Sequence, residues 1–68
     1  MKQVSGAALV SVLRRHGWRL DRVRGSHHIM AKPGRHEIIA VPVHGNTPVK
    51  PGLLLAILRV AGVDRSAL

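Results

Sequence analysis

Five histidines stand out among the 68 residues, because imidazole is the side chain best suited to proton transfer near neutral pH. They are His16, His27, His28, His36 and His44. Zinc does not fit their spacing: the chain has no cysteine, only three carboxylates, and no two histidines four residues apart on a predicted helix. His27 and His28 are adjacent on a predicted strand, so they point to opposite faces and cannot readily share one ion. We therefore expect no metal and no other cofactor.

Nucleophilic catalysis by a serine is also poorly supported. Ser26 precedes His27, but only Asp21 or Glu37 is plausible as the carboxylate that would orient the imidazole. Gly25 is followed by Ser-His-His and not by the Lys-Ser or Lys-Thr pattern of a phosphate-binding loop. Neither a serine hydrolase nor a nucleotide-binding enzyme is indicated.

What remains is a histidine among cations, which suits metal-free cleavage of RNA. RNA supplies its own nucleophile, the 2′-OH, and needs a base, an acid and positive charge near the phosphoryl oxygens. Arg22, Arg24 and Lys32 flank the histidine pair, and the flexible Gly25-Ser26 turn would let the RNA backbone approach closely. On these residues alone, an ordinary polar surface turn remains the alternative.

The composition favours a partner that is a polyanion. Eleven Lys and Arg oppose three Asp and Glu, which gives a formal charge of +8. The length allows one domain, residues 1–68, with one thin core, and excludes a two-domain enzyme. The absence of cysteine favours a reducing compartment, and no apolar run approaches a membrane span, so we expect a cytoplasmic protein that does not contact the membrane.

The order of predicted elements is α-β-β-β-α, which indicates an α+β fold. Ser5 is a good N-cap for a helix over 4–17 that Gly17 ends, and Pro51 begins a second helix that Gly62 ends. The remaining segments are strands over 18–24, 27–31 and 37–43, turns at 25–26 and 32–35, a loop over 44–48, and a tail over 64–68 that we expect to fray. The simplest arrangement is a three-stranded antiparallel meander with both helices on one face, as in double-stranded-RNA-binding domains.

Four residues in the strands carry more specific predictions. Leu20 and Val23 can share a face only if a β-bulge lies between them. Pro42 cannot donate to a ladder, so its strand should end there or lie at an edge. Trp18, the one aromatic residue, is expected in the core and not as a platform for stacked bases.

Several short motifs together resemble the HicA family of toxin endoribonucleases over nearly the whole chain. In order they are Gly17-Trp18, Arg24-Gly25-Ser26-His27-His28, Val41-Pro42-Val43-His44, Lys50-Pro51-Gly52, Ile57-Leu58 and Ala61-Gly62. The resemblance implies a fold like that of double-stranded-RNA-binding domains, metal-independent cleavage of mRNA, and a HicB-type antitoxin that covers the active site.

The resemblance also implies roles for particular residues. The family's catalytic histidine follows the Gly-Ser turn, which makes His27 the candidate and His28 its rival, and the family's turn glycine matches Gly25. His44 matches a recurrent family histidine, but we expect a loop residue that hydrogen-bonds the turn at 45–46. The candidate RNA-binding residues are Arg22, Arg24, Gly25, Ser26, Lys32 and Lys50.

The main alternative is a non-catalytic module that binds double-stranded RNA or the ribosome, since charge and fold fit it equally well. Such a module would be expected to place Lys or Arg, and not histidine, in the turn. A DNA-binding transcription factor is less favoured because the β-rich centre does not fit a helix-turn-helix, and we expect no direct contact with DNA.

Overall fold

The computed structural model describes residues 3–68. The elements are α1 (Gly6–Arg15), β1 (Arg19–Arg24), β2 (His27–Ala31), β3 (Ile38–Pro42), α2 (Pro51–Ala61) and a short 3₁₀ helix (Arg65–Ala67). The α-β-β-β-α order expected from the sequence is confirmed, with element ends that differ by one or two residues.

Helix α1 is fixed at both ends by local signals. The Ser5 hydroxyl accepts a hydrogen bond from the Ala8 amide at 3.2 Å, which satisfies one of the free donors of the first turn. At the other end Gly17 adopts a φ of 92°, and the Trp18 amide donates back to the Leu13 carbonyl at 3.0 Å. This left-handed stop turns the chain directly into the core, where Trp18 is 1% exposed and its indole Nε1 donates to the Ala61 carbonyl.

The three strands form one antiparallel sheet in the order β1-β2-β3. The predicted bulge lies in β1: Leu20 pairs with Met30 and Arg22 with Ile29, so Asp21 is the extra residue. Leu20 and Val23 therefore share a face, although both remain exposed on this edge strand. Strand β3 ends at Pro42 and lies at the other edge, as predicted.

The core lies between the helices and one face of the sheet. Met30, Ile39 and Val41 supply the sheet's contribution, and the helices supply an apolar stripe each. Gly6, the first residue of α1, contacts the backbone of Pro42 and Val43 so closely that a Cβ there would overlap the Pro42 carbonyl oxygen. The first turn of α1 is therefore held against the end of β3.

The end of the chain corrects one expectation. Helix α2 begins at Pro51 and ends in a Schellman cap at Gly62, as predicted. The following residues do not fray: Asp64 caps the 3₁₀ helix by accepting from the Ser66 amide at 2.8 Å, and Ala67 and Leu68 pack against the core. Burial of these two side chains holds the tail in place. No helix within residues 3–68 is long and apolar enough to cross a membrane.

Candidate RNA-binding and cleavage site

The register of the sheet decides which side chains lie on its open face. Cross-strand partners share a face, and residues alternate along each strand. Met30 faces the core, so its neighbour Ile29 faces away from the helices. The cross-strand partners of Ile29, and the residues that alternate with the core-facing ones along each strand, face the same way. The open face consists of Arg19, Arg22, Arg24, His27, Ile29, Ala31, Ile38, Ala40 and Pro42.

His27 lies on this open face at the start of β2. It is exposed, its cross-strand partners are Arg24 on β1 and Pro42 on β3, and it lines a shallow hollow together with Arg24, Gly25, Ile29 and Ala40. Ile29 forms an apolar floor that is only 9% exposed, although it belongs to the open face. The hollow thus places an imidazole and a guanidinium above a floor that water reaches poorly.

Three arginines of β1 form a row along the open face, which we call the arginine row: Arg19, Arg22 and Arg24. The bulge at Asp21 makes this possible, because without it Arg19 and Arg22 would point to opposite faces. Arg22 also makes an exposed ion pair with Asp21, with 3.6 Å between Nη1 and Oδ2, a contact that contributes little in water. Arg19 was not predicted from the sequence, because its face depends on where the bulge falls.

The turn before His27 is open on its outer side. Gly25 has a φ of 56°, and a Cβ on it would meet no atom within 4 Å. The Ser26 carbonyl accepts a hydrogen bond from the Val43 amide at 2.7 Å, which fixes the turn to the segment after β3. The turn is thus anchored on its inner side and accessible from outside.

His28 lies on the opposite side of the sheet from His27. It shares the helix-facing side with Met30 and is half-buried. Among the described residues, its Nδ1 is buried and finds no hydrogen-bond partner. Of the two rival histidines, only His27 is placed with the arginine row.

The structure does not bring the two predicted lysines to His27. Lys32 directly follows β2 at the end of the strand opposite to His27. It is five residues, or roughly 16 Å, from His27 along the strand. Its side chain lies against Gly17. Lys50 is exposed at the N-cap of α2. The alternation of β2 already places Lys32 on the side of His28, a signal that the prediction did not use.

The other histidines lie outside this hollow. The Nδ1 of His16 is 2.9 Å from the Val12 carbonyl within α1, and His36 is exposed. At His44 the backbone carbonyl, and not the imidazole, accepts the bond from the Thr47 amide that closes the loop. No group of three or more His, Asp or Glu side chains in residues 3–68 is arranged to hold a metal ion.

Arg35 is a cation that connects separate parts of the fold through its own contacts. Its Nε donates to Glu37 Oε1 at 2.9 Å, its Nη2 donates to the Val60 carbonyl at 2.7 Å, and its guanidinium lies 5.5 Å from the centre of the Trp18 ring. It therefore ties the segment between β2 and β3 to the end of α2, and we call it the arginine clasp.

The geometry defines a small α-β-β-β-α domain with helices on one face of its sheet and a basic, histidine-bearing open face on the other. The family model described as "HicA toxin of bacterial toxin-antitoxin" matches residues 6–63. The chain therefore belongs to the HicA toxin family of bacterial toxin–antitoxin systems, and the resemblance noted from its motifs is confirmed. Membership implies an antitoxin partner. A comparison with curated proteins finds no match.

Proposed function

We propose that this HicA toxin is a metal-independent endoribonuclease that binds mRNA on the open face of its sheet and cleaves it with His27. HicA toxins are known as mRNA interferases, which favours an enzyme over a non-catalytic RNA-binding module. The proposal is carried by one observation: His27 and the arginine row share the open face, whereas His28 faces the helices. Cleavage of mRNA would take place in the cytoplasm.

The proposed reaction uses the nucleophile that RNA carries. His27 accepts the proton of a 2′-OH, and the oxygen attacks the adjacent phosphorus, which breaks the bond to the 5′-oxygen of the next nucleotide. The products are a 2′,3′-cyclic phosphate and a 5′-OH, whose proton comes from solvent. In this proposal Arg24, the cross-strand partner of His27, stabilises the charge that develops on the phosphoryl oxygens.

Binding and positioning fall to the residues around His27. Arg22 and Arg19 extend the positive charge of Arg24 along β1, so a phosphate backbone can follow the arginine row. The Gly25-Ser26 turn leaves space for the strand to approach. Lys32 and Lys50 lie outside the hollow, and Lys32 is on the helix side of the sheet, so neither is given a phosphate contact on the open face.

The direct test is cleavage of a labelled RNA by purified protein in a buffer that contains EDTA. His27→Ala should reduce the cleavage rate by about 10²–10⁴-fold, because it removes the proton acceptor. It should leave RNA affinity and the fold nearly unchanged, because His27 is exposed. His36→Ala, another exposed histidine outside the hollow, is the matched control and should cleave at the normal rate.

Three results would overturn parts of this proposal. Normal cleavage by a folded His27→Ala protein, with loss in His28→Ala, would transfer the catalytic role to His28. Cleavage that stops in EDTA and returns with a divalent metal would exclude the metal-independent mechanism. Tight binding of RNA without any cleavage by the unaltered protein would favour the non-catalytic module.

A further inference from the structure

Beside the basic part of the open face lies an exposed apolar surface, which we call the apolar strip. It is formed by Ile38 and Ala40 of β3 and by Leu53, Ala56 and Val60 of α2. Ile38 is 63% exposed, Leu53 42% and Val60 40%, which are high values for large apolar side chains in so small a domain. Clustered apolar residues of this kind mark an interaction surface more often than scattered ones do.

The apolar strip is continuous with the proposed cleavage site. Ala40 lines both the strip and the hollow around His27. Cations lie at both margins: the arginine row on the β1 side, and Arg35, which is bonded to the Val60 carbonyl, at the other end. Helix α2 lies on the other face of the sheet, so the strip continues round the β3 edge. One partner that covers the open face and reaches round this edge would therefore meet apolar contacts on β3 and α2 and positive charge over β1.

The chemistry of the apolar strip selects a protein as its occupant. Binding of RNA is driven by phosphate contacts and base stacking, and the strip offers neither a cation nor an aromatic ring. A second copy of the chain would carry the same charge of +8 and repel the first. An acidic protein with an apolar ridge matches both parts of the face, through burial on the strip and charge complementarity at the arginines.

We propose that the apolar strip is the anchoring surface for the antitoxin, whose acidic groups then extend over the arginine row and hide His27. This deepens the proposed function and rests on it. The proposal gives the two surfaces separate roles: the arginine row and the hollow around His27 serve RNA, whereas the strip residues outside the hollow, Ile38 and those of α2, serve only the antitoxin. A substitution on the strip should release the toxin from its antitoxin without impairing cleavage.

The experiment compares two double variants of equal net charge by titration with the purified protein encoded by the adjacent reading frame. The strip variant is Ile38→Thr with Leu53→Gln. The control, Val23→Thr with Leu20→Gln, makes comparable apolar-to-polar replacements at exposed residues of β1, away from the strip. We expect at least about tenfold weaker antitoxin binding for the strip variant only, with RNA affinity and circular dichroism unchanged in both.

The remaining outcomes overturn the proposal. Equal antitoxin affinity in the strip variant and the unaltered protein, or an equal loss in both variants, would exclude the strip as the anchor. A parallel loss of RNA affinity would assign the strip to RNA, and sedimentation showing a dimer that only the strip variant disrupts would assign it to a second copy. Failure of the unaltered protein to cleave RNA would refute the proposed function without changing the antitoxin titration.

Discussion

His27 and His28 are adjacent residues of the same type, yet the sheet gives them different environments. His27 is exposed beside Arg24, and His28 faces the helices with a buried Nδ1 that has no partner among the described residues. A buried polar atom without a hydrogen bond costs about 1–3 kcal/mol. His28 therefore lowers the stability of the domain, whereas His27 has little effect on it.

The prediction at this scale concerns His28→Leu, which replaces the imidazole by an apolar side chain of similar size. Because the unsatisfied nitrogen is removed, the free energy of unfolding should rise by about 1 kcal/mol, measured as a higher urea midpoint. His27→Leu, at an exposed position, is the control and should change the midpoint little. A less stable His28→Leu protein that also fails to cleave RNA would show that the imidazole is needed.

At the scale of elements, the contact between α1 and β3 depends on one missing side chain. We expect Gly6→Ala to lower the free energy of unfolding by about 1–3 kcal/mol or to prevent folding, because its Cβ would overlap the Pro42 carbonyl oxygen. Gly52→Ala is the matched control in the first turn of α2, where a Cβ meets nothing within 4 Å. It should raise stability by about 0.5–1 kcal/mol, since alanine favours a helix over glycine. Thermal unfolding of both variants measures the difference.

The arginine clasp makes the stability of the domain depend on pH. The hydrogen bond from Arg35 holds the pKa of Glu37 below its ordinary value of 4.5. A lowered pKa in the folded state means that this carboxylate stabilises the fold above pH 4.5, and that the contribution is lost as the pH falls through the folded-state value. Glu37→Gln should therefore lower the urea midpoint at pH 7 and converge with the unaltered protein in acid.

The matched control for the clasp is the same substitution in an Arg35→Gln background. There Glu37 has lost its side-chain donor, which is the largest cause of its lowered pKa, so Glu37→Gln should change the pH dependence of the midpoint much less. An unchanged difference in that background would show that another group is responsible for the acid sensitivity.

The sequence predicted the elements because their signals are local. The helix ends are set by residues that act within one turn of their own positions: Ser5, Gly17, Pro51 and Gly62. The end of β3 at Pro42 follows from the backbone N–H donor that proline lacks. Contacts between residues far apart in the sequence could not be predicted in this way. The tail is held by burial of Ala67 and Leu68 against the core. The face on which Arg19 lies depends on the exact position of the bulge, and the spacing of Leu20 and Val23 predicts a bulge between them without fixing that position.

At the scale of the whole molecule, we expect the excess of positive charge to make the proposed binding of RNA depend on ionic strength. Arg19, Arg22 and Arg24, at about 0.7 counterions each, should give a slope of about −2 in a plot of log affinity against log salt concentration for single-stranded RNA. Arg22→Gln should reduce the slope by about 0.7 and weaken binding to all sequences alike. Arg65→Gln, in the 3₁₀ helix, is the control and should leave the slope unchanged. A slope near zero would mean that the arginine row does not contact phosphate.

The bulge in β1 has a consequence for how related chains are aligned. Apart from Asp21, every residue of β1 has a partner on β2, in unbroken order from Arg19 opposite Ala31 to Arg24 opposite His27. A strand that is one residue shorter at this point keeps every side chain on the same face. A one-residue gap at position 20 or 21 is therefore compatible with an intact arginine row, whereas a gap at position 23 would turn Arg24 towards the helices.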